Sequence, residues 1–299
     1  MGGGTRRWVS VVLGERVVAV ERLVGGMSTE LVCLATESGR RAVLRRFSGP
    51  RWDTAGPGAA ANEAAVLTIL EGTAVPAPRL LAVDADGERC DAPSVLMEFM
   101  PGRRTLLSDA RRLAAALAAA MATIHDVAAP VIEGLPDETA SILRGLDAEA
   151  PAIRRTRPAA SLWQVVREQR PPLPAASTHL IHNDFSASNV LFVDGRLTAV
   201  LDWEDAARGH AAYDVSFCRL STSLTLGVEA GDLVLAAYQA EVGTRLENLA
   251  WWDLVAAARL QPDISTWTAS ANYLGSADPT VREVVRRFDL FVQIARVGG

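Results

Sequence analysis

The chain contains no lysine; all 30 of its Lys-plus-Arg positions are arginine. Any contact from a fixed side-chain cation to phosphate or carboxylate therefore falls to a guanidinium fork, which is not interchangeable with an ammonium. Cysteine is also sparse. Cys33, Cys90 and Cys218 are scattered, odd in number and in no metal-ligand spacing, which argues against a zinc site and favours reduced thiols in a cytoplasmic protein. No apolar run is long enough to cross a membrane. Thr5-Arg6-Arg7-Trp8 superficially matches a twin-arginine signal, but the apolar stretch 9–13 is too short before Gly14-Glu15-Arg16. Excess positive charge is missing as well: the net charge is −5 and the pI is near 5.5. That balance argues against a nucleic-acid binder working through a basic surface and mildly favours a cationic substrate.

What is present is enough for a folded enzyme. A chain of 299 residues can bury about three quarters of its unfolded surface without staples, and 49% hydrophobic with 22% charged residues is ordinary globular composition. The most informative stretch is 181–192, where His182-Asn183-Asp184 is followed, five residues after the aspartate, by Asn189. An aspartate on an extended loop can accept the proton of an attacking hydroxyl, and an asparagine at that spacing can return to a metal at the phosphates of a nucleotide. This predicts Asp184 as base, with His182 orienting the loop. Apolar runs at 190–193 and 197–201 flank Asp194-Gly195, a hairpin signal, and the second run delivers Asp202. A carboxylate there can hold Mg²⁺ together with Asn189.

Short β-branched or apolar segments at 8–13, 17–24, 31–36 and 41–47 predict a strand-rich first third, broken by glycine turns. The turn holding Gly25, Gly26 and Ser28 can bring backbone N–H groups close to phosphate oxygens, or be an ordinary hairpin. Residues 59–70 have helical spacing, and Ser108 is the expected N-cap of a helix whose face carries Leu113, Leu117, Met121 and Ile124 and which ends at His125. From 215 to 297 the pattern is almost wholly helical, with breaks near Gly227, Gly243, Pro262 and Gly275.

The His-Asn-Asp…Asn loop, Val200-Leu201-Asp202-Trp203-Glu204-Asp205 and Gly209…Asp214 together resemble the aminoglycoside phosphotransferase family, whose relatives include choline, homoserine and macrolide kinases. The resemblance implies an α/β (α+β) bilobal protein-kinase-like fold. Residues 1–101 would form a nucleotide-binding lobe with an antiparallel sheet, and 102–299 a mainly helical catalytic and substrate-binding lobe. Asp202-Trp203-Glu204 stands where protein kinases have Asp-Phe-Gly. Where the family carries a phosphate-contacting lysine this chain has Arg45, with Arg46 as the alternative register, and Glu63 is its implied partner. The segment ending at Glu98 and Met100 resembles the hinge whose backbone faces the nucleobase. Asp214 resembles the family's internal aspartate that bonds the catalytic-loop backbone, while His210 and Ala211 depart from the family's usual Asp-Pro.

The implied reaction moves the γ-phosphoryl of ATP or GTP, with Mg²⁺, to a hydroxyl of a small molecule. An antibiotic of aminoglycoside or macrolide type is the first expectation. A choline- or homoserine-like metabolite and a nucleotide-binding pseudokinase or regulatory module are the alternatives. No nucleic-acid or membrane partner is expected, and the chain is read as a monomer or weak homodimer. Glu229, Asp232, Glu241, Glu247, Asp253, Asp263 and Asp278, beside Trp251, Trp252, Trp267 and Tyr273, are candidates for the acceptor side or, equally, for a solvated face and a helix core.

Overall fold

The computed structural model describes residues 2–23, 29–147, 157–173, 179–261, 264, 267, 274 and 279–298, with backbone only for 157–160. The chain divides into two compact units, Met1–Gly102 with Thr198–Ala206, and Arg103–Leu197 with Ala207–Gly299.

The first unit holds α1 (Gly3–Leu13), β1 (Val17–Arg22), β2 (Glu30–Thr36), β3 (Arg41–Arg46), α2 (Trp52–Leu70), β4 (Leu80–Asp84) and β5 (Ser94–Glu98). The five strands form one antiparallel sheet in the order β1-β2-β3-β5-β4. Side chains alternate across a strand, and the sheet uses both faces. Val32, Leu34, Ala42, Leu44 and Leu96 pack with Val9 and Leu13 of α1 in one apolar cluster. Arg45 lies on the other face, in register with Leu31 and Val95, and is buried.

The expected strand at 8–13 is a helix. Over six residues an apolar run matches both periods, but Thr5, Val9 and Leu13 are the buried positions of an eleven-residue helix, spaced four apart. Gly14, at φ 70°, ends it with a left-handed cap. The helix read at 59–70 starts earlier, at Trp52, and runs through Pro57. The N-cap of α3 is Asp109, one residue beyond Ser108. Its Oδ1 accepts the backbone N–H of both Arg111 (2.9 Å) and Arg112 (3.3 Å).

The second unit comprises α3 (Ala110–His125), α4 (Ala129–Ile132), α5 (Glu138–Asp147), α6 (Arg157–Glu168), β6 (His179–Ile181), a 3₁₀ turn (Ala187–Asn189), β7 (Val190–Val193), β9 (Ala207–Gly209), α7 (Ala211–Leu226), α8 (Val228–Val242), α9 (Leu249–Leu260) and α10 (Val281–Val297). β8 (Arg196–Val200) follows the turn at Asp194 (φ 50°) and Gly195 (φ 74°), and within it the chain passes into the first unit. Both turn residues take positive φ, the type I′ geometry that Asp-Gly favours.

Helix α7 is buried on all sides from Ala211 to Thr225 despite its polar residues. Three of its hydroxyls bond backward: Ser221 Oγ donates to Cys218 O (2.9 Å), Ser223 Oγ to Arg219 O (2.7 Å) and Thr225 Oγ1 to Ser221 O (2.9 Å). These side chains satisfy themselves within the helix and so tolerate burial. Gly231 lets α8 approach closely, since a Cβ there would meet Ser223 Oγ at 2.1 Å and Arg219 O at 2.6 Å.

Replacing Asp109 by Ala should cost about 1 kcal/mol through loss of the cap, whereas Ser108→Ala should cost almost nothing. Thermal melts of the two variants distinguish the caps, with a lower melting temperature expected for Asp109→Ala alone.

Candidate active site

The residues singled out from the sequence fall into two groups, each described within its own unit. In the second unit, β6 ends at Ile181 and releases the chain into the loop 182–189 between elements that are themselves fixed, because β6 pairs antiparallel with β9. Asn183 takes φ 70°, a left-handed conformation that asparagine tolerates better than most side chains. Asp214, fully buried in the first turn of α7, anchors this bend. Its carboxylate accepts the backbone N–H of His182 (2.7 Å) and of Asn183 (2.8 Å), and His125 Nε2 lies 3.3 Å away. Tyr238 supports His125 in turn, 2.7 Å from Nδ1.

The predicted base and its partner lie together. Asn189 Nδ2 donates to Asp184 O (2.9 Å) and to Asp184 Oδ2 (3.1 Å), closing the five-residue turn and orienting the carboxylate. His182 is wholly buried, edge-on to Phe185, a position from which it shapes the loop. Arg259 is a residue that sequence reasoning missed. It is ion-paired to Glu138, bonds Asn183 Oδ1 (3.3 Å) and lies over the Tyr213 ring. Its position 76 residues away on α9 left no local signal.

In the first unit, Arg45 enters the buried face of β3 and meets three carboxylates. Nη1 bonds Glu63 Oε1 (2.8 Å), Nη2 bonds Glu204 Oε1 (2.7 Å) and contacts Asp202 Oδ1, and Nε bonds Thr29 Oγ1 (3.2 Å). Arg46 turns to the other side, to Glu30 and the carbonyl of Cys90. The side chains of Arg45, Glu63 and Glu204 are 4%, 2% and 7% exposed, against 29% for Asp202. Burial works to lower the Arg45 pKa, but the charges of Asp202, Glu63 and Glu204 more than offset it and raise the pKa well above the ordinary value. One cation cannot neutralise three anions. Burial first, and then the neighbouring Asp202 charge, push the Glu204 carboxyl well up; burial likewise raises Glu63 against the opposing pull of Arg45.

Helix α2 also fixes the segment after β8: Asn62 Nδ2 donates to the carbonyls of Glu204 and Ala206, both at 2.9 Å. Asp202 has φ 76°, a strained conformation for a non-glycine residue. Asn62, Thr29 and the side chain of Glu204 were not singled out from the sequence, because each acts through tertiary contacts alone. Gly25, Gly26 and Ser28 lie outside the described residues. The Glu98 carboxylate pairs with Arg79 (2.6 Å) and its N–H bonds Arg79 O, while Met100 is partly exposed.

The acceptor candidates separate. Trp251 and Trp252 belong to the helical core, with Trp251 Nε1 bonded to Val166 O. Asp253 is buried and ion-paired to Arg219, which also binds Asp232 (2.7 Å), so these two acids are committed within the unit. Asp263, Tyr273 and Asp278 lie outside the described residues. A cavity borders the catalytic loop at Ser186 and Ser188 and is lined further by Thr222, Thr225, Leu113 and Trp267. The cysteines are free and buried; burial pushes Cys90 up to about 11 and Cys218 up to about 12, which removes both as nucleophiles at neutral pH.

A five-stranded antiparallel sheet followed by a mainly helical unit is the architecture of kinase-like phosphotransferases. Residues 19–254 match the phosphotransferase enzyme family known as APH, and the chain belongs to it. Hygromycin-B 4-O-kinase of Escherichia coli is 50% identical over 38 residues, a match spanning 13% of this chain and 11% of that protein. Among solved structures, macrolide 2′-phosphotransferase MphH from Brachybacterium faecium is 19% identical with a TM-score of 0.60, covering 91% of this chain and 98% of its own. A thermostable mutant of the aminoglycoside phosphotransferase APH(4)-Ia is 17% identical with a TM-score of 0.63, covering 97% and 98%. At these identities the structures speak for the fold. Among the described residues no helix is long and apolar enough to cross a membrane.

Asp214→Asn replaces a carboxylate that accepts two buried N–H groups. It should cost about 1–3 kcal/mol of stability and lower kcat by about tenfold or more by loosening the loop. Thermal melts with steady-state kinetics check this; a lower melting temperature with unchanged kcat would confine Asp214 to a structural role.

Proposed function

We propose that this phosphotransferase moves the γ-phosphoryl group of ATP or GTP to a hydroxyl of a small molecule, with Asp184 as base. The observation that carries the reading is the catalytic loop itself, with its backbone held by Asp214 and Asp184 bonded to Asn189. The acceptor oxygen forms a bond to the γ-phosphorus while the bond from that phosphorus to the bridging oxygen breaks. The hydroxyl proton goes to Asp184 and the nucleoside diphosphate leaves. Solved structures of APH(4)-Ia variants hold ADP or AMP-PNP together with hygromycin B, which supports a nucleotide donor.

Residues 1–101 take the nucleotide in this reading and 102–299 carry catalysis and the acceptor. Arg45, steadied by Glu63, supplies fixed positive charge for the phosphate side; the turn with Gly25, Gly26 and Ser28 covers the phosphates, and Glu98 to Met100 borders the base. Asn189 and Asp202 are assigned to Mg²⁺. Among the described residues no group of three or more His, Cys, Asp or Glu is arranged to hold a metal. That suits Mg²⁺, which is usually held through one or two carboxylates with substrate phosphates and water. Asp202 fits, being an oxygen donor and the most exposed carboxylate around Arg45. The ion, when bound, would neutralise charge on the phosphate oxygens.

For the acceptor we infer a hydroxylated, amine-bearing compound, with an antibiotic of aminoglycoside or macrolide type first. The net charge of −5 and the hygromycin B and macrolides after which similar proteins are named support this. A phosphorylation screen over aminoglycosides, macrolides, choline and homoserine at two ionic strengths tests it. Turnover should fall with salt; a preferred neutral or anionic acceptor, indifferent to salt, would overturn the acceptor class. With the acceptor found, Asp184→Ala should lower kcat by about 10²- to 10⁴-fold while nucleotide binding persists, and Asp202→Ala should abolish Mg²⁺-dependent nucleotide binding. Retained turnover in Asp184→Ala would remove it as the base.

A further inference from the structure

The arginine at 45 sits among more negative charge than it can neutralise, and the three carboxylates are not equivalent. Glu63 and Glu204 are sealed, whereas Asp202 alone reaches solvent appreciably. The two sealed carboxylates hold opposite ends of the guanidinium, Glu63 on Nη1 and Glu204 on Nη2. Glu204 and Asp202 therefore share one nitrogen. If Glu204 were absent, departure of Asp202 from Arg45 would leave that end of a buried cation without an anion, an expensive arrangement. With Glu204 in place, both ends stay paired whichever way Asp202 turns. Asn62 holds the backbone at 204 and 206 while Asp202, two residues earlier, occupies a strained φ of 76°.

From this geometry we propose that Glu204 is a positioning residue: it retains the Arg45 guanidinium so that Asp202 can release it and present its carboxylate to a divalent cation. The idea rests on the assignment of Asp202 to Mg²⁺ above. It also accounts for arginine at this position, since a two-ended fork needs two permanent partners where an ammonium is a single point charge. Without Glu204 on Nη2, Arg45 competes with the cation for Asp202.

The test is Mg²⁺-dependent binding of a fluorescent ATP analogue, measured directly on the wild type, Glu204→Gln and Glu204→Asp, with thermal melts alongside. Glu204→Gln should raise the Mg²⁺ concentration for half-maximal nucleotide binding by about tenfold, a typical coupling between linked sites. Nucleotide affinity at saturating Mg²⁺ and the KM for the acceptor should change little. Glu204→Asp, which keeps the charge on a shorter stem, should lie between Glu204→Gln and the wild type. A wild-type Mg²⁺ requirement in Glu204→Gln overturns the proposal, as does a uniform loss of binding and stability in which Glu204→Asp is no better. Should Glu204→Gln not fold, Glu204→Asp decides alone: a raised requirement supports the proposal and an unchanged one overturns it. Absence of Mg²⁺-dependent binding in the wild type would instead bring down the assignment of Asp202, and this inference with it.

Discussion

The carboxylate of Asp214 is the constraint on which the catalytic loop depends. Two successive peptide N–H groups, at His182 and Asn183, point inward at a bend where no strand or helix can take them. A buried amide left without an acceptor costs free energy comparable to a lost hydrogen bond, and here there are two. One carboxylate on a buried helix satisfies both. Because α7 is enclosed on every side, Asp214 is held as rigidly as any residue in its unit, and that rigidity passes to the loop bearing Asp184. His125 and Tyr238 extend the same network to α3 and α8, so three helices position one turn of chain.

In the other unit the governing interaction is a buried charge imbalance. Arg45 is surrounded by Glu63, Asp202 and Glu204, and the pKa of each buried glutamate is raised by desolvation. Such a cluster is weak support for stability, since the desolvation of several charges opposes their attraction. Asp202 is the member of the cluster most open to solvent. In a chain with no lysine at all, the cation at the centre of this cluster is an arginine.

Local chemistry was legible. The spacing of Asp184 and Asn189 closes as a five-residue turn, with Asn189 bonded back to Asp184, and Asp194-Gly195 turns the chain between two apolar runs, both set by backbone geometry within a dozen residues. The sheet strands from 17 onward, the helix ending at His125 and the breaks at Gly227 and Gly243 were visible for the same reason. Where a segment was short the pattern misled: six apolar residues at 8–13 suit a strand as well as a helix, and only the buried faces of a longer element decide between them. Ser108 and Asp109 are both good caps by type, and the geometry of the helix entry chose the aspartate.

What the sequence by itself determined was the family, the order of sheet and helices, and the residue types of the loop 182–189, all written in contiguous spacing. Tertiary structure alone decided which of Arg45 and Arg46 is enclosed, that Glu204 and Thr29 complete its surroundings, that Arg259 reaches Asn183, and that Asp232 and Asp253 are committed to Arg219. Each of these joins residues distant in the chain. Their pairing is set by the cost of leaving a buried charge or polar group without a partner, a cost that acts only once folding has brought them out of water.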